Sequence, residues 1–403
     1  AALVLPALAG AGAAALTAAI AGKMGASRRG AVGAACAFAL GTQALTYSRT
    51  LFAEVLVAFL LALVVWGITD RSRGRRQLGY VALGLAVLAK PQTIVVAPGL
   101  AIALVLAYRS WRPVIGIAAA SISGSLVYLA YNVARFGDPL TFGARDRMLQ
   151  ADWFRPGRLL DGLAVLIVSP GRGLVWFSPV AIIGALVLWR RRQSPVAAAA
   201  LGVSLPILVL SIAHPAGWQA WGARYLIPTL PLVCAGIGLL SGRKATLAAA
   251  LVAIGFVNQI PTTVAFTDRY FTEAREQHAT THELRWERFA VADMWATAAR
   301  QVRDALHTDV RHVVANAGGQ RSETVAGQPV LRVVSLWWWV LPAVRVSRWI
   351  GAIACLLGLL AAGRLLWRAS EDTVRARAGP AVERGGASRE GARWVRAAEN
   401  EVR

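Results

Sequence analysis

The chain has 403 residues, 56% of them apolar, and a formal net charge of +22; its mean hydropathy is +0.51 and its pI near 11.4. Soluble domains stay near about 45–50% apolar, so an ordinary globular composition is excluded. The basic excess sits in short loops and a tail, which points to membrane orientation and anionic headgroups rather than to nucleic acid.

Crossing a bilayer takes about 20 apolar residues. In chain order the candidate spans are 1–22, 31–47, 50–69, 77–89, 91–108, 113–134, 173–189, 195–213, 226–240, 245–266 and 347–363. Basic clusters occupy nearly every second gap: Lys23 to Arg29, Asp70 to Arg76, Arg109 to Arg112, Arg190 to Arg192, Arg243 to Lys244, and the tail from Arg364. Short cytoplasmic loops retain Lys and Arg. Loops 23–30, 70–76, 109–112, 190–194 and 241–244 are therefore expected inside. Loops 48–49, the surroundings of Lys90, 135–172, 214–225 and 267–346 are expected outside. The expected fold is all-α: a polytopic transmembrane helix bundle of about eleven spans. It has long extracytoplasmic loops, sits in the plasma membrane, and ends in a cytoplasmic tail.

Four stretches follow from this pattern. Residues 1–266 form the transmembrane core, 267–346 an extracytoplasmic loop, 347–363 the last span, and 364–403 a basic tail. That tail has few large apolar residues and reads as disordered. Within the loop, residues 283–306 read as an amphipathic helix. Trp286, Phe289, Ala292, Trp295, Ala299 and Val302 recur every three or four residues, with Arg288, Asp293 and Arg300 between them. Such a helix lies on the membrane surface or packs on the bundle. Trp337, Trp338 and Trp339 read as an interfacial anchor for the last span. Long loops of mixed composition on one side mark the working surface.

Several chemistries lack their signatures. Cys36, Cys234 and Cys355 show neither pairing nor metal spacing. His278 and His282 stand four apart, but no glutamate lies between them as HExxH zinc chemistry requires. No phosphate-binding P-loop and no dinucleotide fingerprint is present. No cofactor is expected, and a requirement for a divalent metal is left open.

Charges near a bilayer are costly, so the outer ones need a reason. Lys90 ends one span and Pro91 opens the next; it either snorkels or faces an anionic lipid head. Tyr131 to Pro139 closes a span, then turns at Gly137-Asp138-Pro139. Ser169-Pro170-Gly171-Arg172-Gly173 enters a span. It presents backbone N–H groups and a guanidinium together, either to a phosphate or as a tight loop with a snorkelling arginine. Trp218 to Pro228 packs Trp218, Trp221, Gly222, Arg224 and Tyr225 above a proline-containing span. Trp and Tyr faces stack on sugars and Arg pairs with phosphate. An aromatic belt explains the rings but not the arginine.

Together these stretches resemble the polytopic glycosyltransferases of the GT-C class, nearest the protein O-mannosyltransferase and aminoarabinose-transferase branch and its actinobacterial relatives. The likeness rests on Tyr47-Ser48-Arg49-Thr50-Leu51-Phe52-Ala53-Glu54, Leu88-Ala89-Lys90-Pro91, Tyr131 to Pro139, Ser169 to Pro179 and Trp218 to Pro231, and runs over about residues 1–270. The resemblance implies a polyprenyl-phosphate sugar donor, transfer on the extracytoplasmic face to a hydroxyl of a glycan, lipid or protein, and membrane lipids as surroundings. It implies Lys90, Arg172 and Arg224 as partners of the donor phosphate. Glu54 and Asp138 are candidates for sugar or acceptor contacts, and Tyr225 and Trp221 line the same site. The class places its acidic base in the first outer loop. This chain reads as starting at the second span, so no catalytic base is named in it.

Two other readings compete. A transporter or flippase for lipid-linked sugars would share the basic outer residues but needs polar or ionisable groups near the span midplanes. A non-catalytic membrane subunit would use the bundle as a scaffold. An acidic residue in an outer loop upstream of Ala1 would favour the enzyme.

Overall fold

The computed structural model describes residues 4–141, 159–213, 220–280 and 282–307, with isolated positions between 347 and 364. The readings of Trp337 to Trp339, the last span and the tail fall on residues largely outside this set. The chain divides into two units, Ala1–Arg348 and Trp349–Arg403, and the bundle belongs to the first. All regular structure among the described residues is helical, and the chain is a polytopic transmembrane helix bundle, as expected.

In order the helices are α1 (Val4–Lys23), α2 (Arg28–Gly41), α3 (Ala44–Tyr47), α4 (Glu54–Ile68), α5 (Arg73–Ala89), α6 (Pro91–Tyr108) and α7 (Arg112–Phe136). They continue with α8 (Leu159–Ile167), α9 (Leu174–Phe177), α10 (Pro179–Arg190), α11 (Pro195–Ala213), α12 (Arg224–Leu239) and α13 (Gly242–Val264). Each span expected up to residue 266 falls on a helix or a broken helix. The breaks have local causes. Pro179 lacks an N–H and disfavours helical backbone at Ser178, so 173–189 splits into α9 and α10. Likewise Pro91 holds Lys90 extended (φ −154°, ψ 98°) between α5 and α6. α2 starts on Ser27, whose Oγ accepts from the Gly30 N–H at 3.1 Å. α7 stops at Gly137, in the left-handed region at φ 75°.

Helices α1, α6, α7, α11 and α13 are long and apolar enough to cross a membrane; α4, α10 and α12 are shorter apolar helices. Their outward faces carry Ile102, Ile115, Ile122, Leu126, Val209 and Leu247, all more than half exposed. A water-soluble surface would not tolerate such continuous apolar walls; a lipid-facing one requires them. Inside, α4 packs on α5 and α1, α1 on α2, α5 on α7, and α6 on α11. The α6–α11 contact is made by Gly99 and Gly202. A Cβ on either would run into the opposite backbone carbonyl, so glycine sets this close crossing.

One end of the bundle is basic. Lys23 Nζ lies 2.8 Å from Asp70 Oδ2, and Arg75 Nη1 lies 3.3 Å from the same oxygen. Lys23 also sits 5.2 Å from the centre of the Trp66 ring. These contacts bring loops 23–30 and 70–76 to a common end. The hydrogen bond from Lys23, the Ser72 N–H and Arg75 hold the Asp70 carboxyl well below the usual carboxylate range.

Beyond α13 come α14 (Thr267–Glu276), a π-helical turn (Glu283–Glu287) and α15 (Ala290–Leu306). An ion-pair ladder ties α14 to α15: Arg269 Nε to Glu273 Oε1 at 2.8 Å, Arg269 Nη2 to Asp304 Oδ2 at 2.6 Å, and Arg300 Nη2 to Glu273 Oε2 at 2.6 Å. The amphipathic helix expected at 283–306 is thus a π-helical turn followed by α15, and its orientation differs from the sequence pattern. The buried face is Ala290, Val291, Met294, Thr297, Ala298, Gln301 and Ala305. Of the residues read as the apolar stripe, Trp295 is 42% exposed, and Phe289, 41% exposed, meets the bundle only edge-on at Trp176. Small side chains let α15 approach α13 closely, which the large rings would prevent.

Candidate functional site

The end of the bundle opposite the Lys23–Asp70 cluster is knitted by buried amides and hydroxyls. Gln43 Nε2 donates to the Ala223 carbonyl at 2.7 Å, and the Gln43 N–H donates to Ser178 Oγ at 3.1 Å. Gln259 of α13 donates from Nε2 to the Phe177 carbonyl at 3.0 Å. Its Oε1 accepts from Thr46 at 2.8 Å and from Trp221 Nε1 at 2.9 Å. Tyr47 Oη donates to the Trp221 carbonyl at 3.0 Å. Buried polar groups in hydrocarbon must find partners. This network satisfies most of them, Gln43 Oε1 excepted, while fixing α3, the α9–α10 break, residues 220–223 and α13 against one another.

On that frame sits a charge cluster. Glu54, the first residue of α4, has a side chain 5% exposed. Lys90 Nζ donates to its Oε1 at 3.0 Å. Arg224 Nε lies 3.2 Å from the same oxygen. That approach is an ion pair without a directed hydrogen bond, since Nε does not point along the contact. Aromatic rings enclose the cations. Lys90 Nζ is 4.5 Å from the centre of the Tyr225 ring, and the Arg224 guanidinium is 4.6 Å from that of Phe52 and 5.1 Å from that of Tyr225. Arg224 Nη2 also reaches Tyr225 Oη at 3.4 Å. Two cations share one carboxylate, so the trio carries a net positive charge in a setting where charge is weakly screened.

Arg172 is 4% exposed. Its turn is locked from above. The Gly171 N–H donates to the Arg285 carbonyl at 3.1 Å, and the Gly173 N–H donates to the Ser169 carbonyl at 2.7 Å. A Cβ at Gly171 would collide with the Leu284 carbonyl, so only glycine lets the π-helical turn approach this closely. Burial, then the like charges of Arg285 and Arg224, bring Arg172 down to about 10. It stays charged at neutral pH, in an environment that favours a nearby anion.

The other expected residues fall into different roles. Asp138 stands at the end of α7, where Oδ1 accepts from the Leu140 N–H at 2.9 Å and Oδ2 from Thr141 Oγ1 at 2.6 Å. Those contacts build the turn that follows α7. Trp221 is 2% exposed, edge-on to Phe177 with centroids 4.8 Å apart, so in this conformation its faces are enclosed. Tyr225 is half-buried and faces the cations. Trp218 and Gln219 lie outside the described residues. Among the described residues no cluster of His, Cys, Asp and Glu could hold a metal ion. His282 instead pairs with Glu287, Nδ1 to Oε1 at 3.1 Å, on the surface.

Sequence reading missed Gln43, Gln259, Phe52 and Arg285. The signal for the two glutamines was present: each is a neutral amide inside an apolar stretch and 0% exposed. Phe52 and Arg285 carried none, because their positions come from the chain's path.

One cavity opens beside the cluster, and a second lies along the neighbouring helices. The first, of about 40 Å³, is lined by Lys90, Gln92, Thr93, Ser211, Tyr225 and Pro228. A groove of about 760 Å³ runs along α6 and α11, from Val95 past Gly99 and Pro206 to Trp189 and Arg192. Leu210 lines both.

No protein-family profile matches the chain. No curated protein matches it. Among solved structures it is similar to the crystal structure of ArnT from Cupriavidus metallidurans in the apo state, at 15% identity over 74% of this chain and 59% of that chain, with a TM-score of 0.42.

Proposed function

We propose that this chain is a membrane glycosyltransferase of the GT-C type. It takes a sugar from a polyprenyl-phosphate donor and passes it to a hydroxyl of a glycan, lipid or protein at the extracytoplasmic face. One observation carries the reading: Lys90 and Arg224, from distant parts of the sequence, meet beside Tyr225 at the end of the bundle away from the Lys23–Asp70 cluster. A lipid-borne phosphate cannot leave the bilayer, so its site belongs at such a rim. Sugar departure builds charge on the phosphate, and preorganised cations lower the barrier to it. The groove along α6 and α11 begins beneath these cations and is lined mainly by apolar side chains, which suits a long isoprenoid chain.

The transporter reading calls for ionisable groups at mid-depth. Among the described residues, each Lys, Arg, Asp and Glu of the spanning helices lies in a first or last turn. That distribution supports chemistry at the rim rather than passage through the centre.

The test is transfer from a radiolabelled polyprenyl-phosphate sugar by the full-length protein in liposomes. Arg224→Ala is expected to abolish transfer while membrane insertion is unchanged. Wild-type turnover by that variant would remove Arg224 from the site.

A further inference from the structure

Lys90 and Arg224 offer a seat to a donor phosphate, but the residues expected to hold the sugar do not offer one. Trp221 is enclosed, and Asp138 builds the turn after α7. The cations meet aromatic rings at Tyr225 and Phe52. The Tyr225 ring is taken, with Lys90 at 4.5 Å and Arg224 at 5.1 Å from its centre. Phe52 differs. The Arg224 guanidinium lies 4.6 Å from its centre, and the buried Tyr47 ring meets it at a tilt of 56°, yet the residue is 46% exposed. An open aromatic surface therefore borders the guanidinium. Its place is fixed from both sides. Phe52 stands in the short connection between α3 and α4, two residues ahead of Glu54. Arg49 anchors that connection to the end of α13, donating from Nη1 to the Thr263 carbonyl at 2.7 Å. The Thr50 N–H and Oγ1 donate to the Tyr47 carbonyl at 3.2 Å and 3.1 Å. On the other side Glu54 is held by Lys90 and Arg224. A ring held in this way needs little ordering when a ligand arrives.

We propose that Phe52 is the platform on which the sugar of the lipid-linked donor rests. This rests on the reading of Lys90 and Arg224 as the donor-phosphate site. A glycosyl phosphate joins its sugar ring to phosphorus through a single oxygen. A sugar whose phosphate pairs with Arg224 must therefore lie beside that guanidinium, where Phe52 presents its open surface. The C–H faces of a sugar ring are apolar and stack on aromatic faces. A phenyl ring has no polar atom, so the contact fixes the plane of the sugar without reading its hydroxyls. Orientation is what transfer needs from it: the anomeric carbon must face the acceptor hydroxyl while the phosphate departs.

The experiment measures binding of two kinds of probe to the full-length protein in nanodiscs: undecaprenyl phosphate, and the same lipid carrying a mannosyl, glucosyl or arabinosyl residue. The wild type is expected to bind at least one sugar-bearing lipid several-fold more tightly than the bare one. Phe52→Leu keeps the apolar bulk but not the flat face. It is expected to lose that preference while binding the bare lipid as the wild type does. Phe52→Tyr, which keeps the face, should retain the preference. If Phe52→Leu keeps it in full, the ring serves only as an apolar contact with the bilayer, and the proposal is overturned. An equal loss for bare and sugar-bearing lipids means that the ring merely supports Arg224, and overturns it too. Wild-type protein that binds the bare lipid but gains nothing from any of the sugars ends the platform alone. Wild-type protein that binds neither ends the donor reading together with the platform.

Discussion

Lys90 and Arg224 reach the same oxygen of Glu54, at 3.0 Å and 3.2 Å. The convergence makes Glu54 the internal counter-ion of the rim cluster and leaves its other oxygen outside both ion pairs. A buried carboxylate in this position does two things. It lets two cations stay together in a poorly hydrated site when no substrate is bound, and it gives a substrate phosphate something to compete with.

Replacing Glu54 with Gln keeps the shape and removes the charge. Lys90 and Arg224 are then left facing each other. Breaking a buried pair in this way typically destabilises by about 3–5 kcal/mol, so Glu54→Gln is expected to lower the thermal midpoint of the detergent-solubilised protein clearly. Lys90→Met, which leaves the Arg224–Glu54 contact in place, should lower it less. Added inorganic phosphate should restore more stability to Glu54→Gln than it adds to the wild type, since the anion fills the missing role. Equal midpoints for the variant and the wild type would remove Glu54 as counter-ion.

Gly171→Ala tests the clamp on Arg172. The added methyl meets the Leu284 carbonyl, so the Ser169–Gly173 turn and the π-helical turn must part. Overpacking of this kind usually costs about 1–3 kcal/mol, too little to unfold the bundle. Hydrogen exchange is expected to rise at 283–287 and at 169–173 while α6 and α11 are unchanged. If exchange at 283–287 stays at the wild-type level, the close approach is not what holds the turn.

The α14–α15 ladder gives a pH dependence. Burial raises Glu273, but hydrogen bonds from Arg300 and Arg269 outweigh it and hold the carboxyl below its ordinary value. A carboxylate with a depressed folded value stabilises fully above its unfolded value, near about 4.3. That contribution disappears as pH falls through the lower, folded value. Amide exchange in 267–276 and 290–306, corrected for intrinsic rate, should therefore show weaker protection at acid pH, and Glu273→Gln should show the weaker protection already at neutral pH. Exchange that ignores both changes would make the ladder a surface ornament of no energetic weight.

How much of this was legible beforehand differs by element. Spans were readable because hydrocarbon demands long apolar runs, and Lys23, Asp70 and Arg75 confirmed that loops 23–30 and 70–76 share an end. Lys90, Arg172 and Arg224 stood out because cations among apolar stretches need a reason. What they do to one another was not readable, since Glu54, Lys90 and Arg224 meet through helix packing that no local pattern encodes. The stripe of α15 was misleading for a related reason: Phe289 and Trp295 look like core by size, yet Ala290, Met294 and Ala298 are the residues that are buried. Periodicity marks a face but not its partner.

The groove along α6 and α11 separates binding of a lipid chain from binding of a phosphate. Val209 lines it and is 56% exposed, so a larger side chain there can be accommodated without disturbing the core. Val209→Trp should fill part of the 760 Å³ without touching Lys90, Glu54 or Arg224. If a long isoprenoid chain lies in the groove, the variant raises KM for a long-chain polyprenyl-phosphate sugar. It leaves turnover unchanged with a donor whose chain is too short to reach Val209. Arg224→Ala, by contrast, should lose both donors equally, because every donor carries the phosphate. A Val209→Trp variant that treats long and short donors alike would detach the groove from the lipid chain while leaving the cations at the rim as the phosphate site.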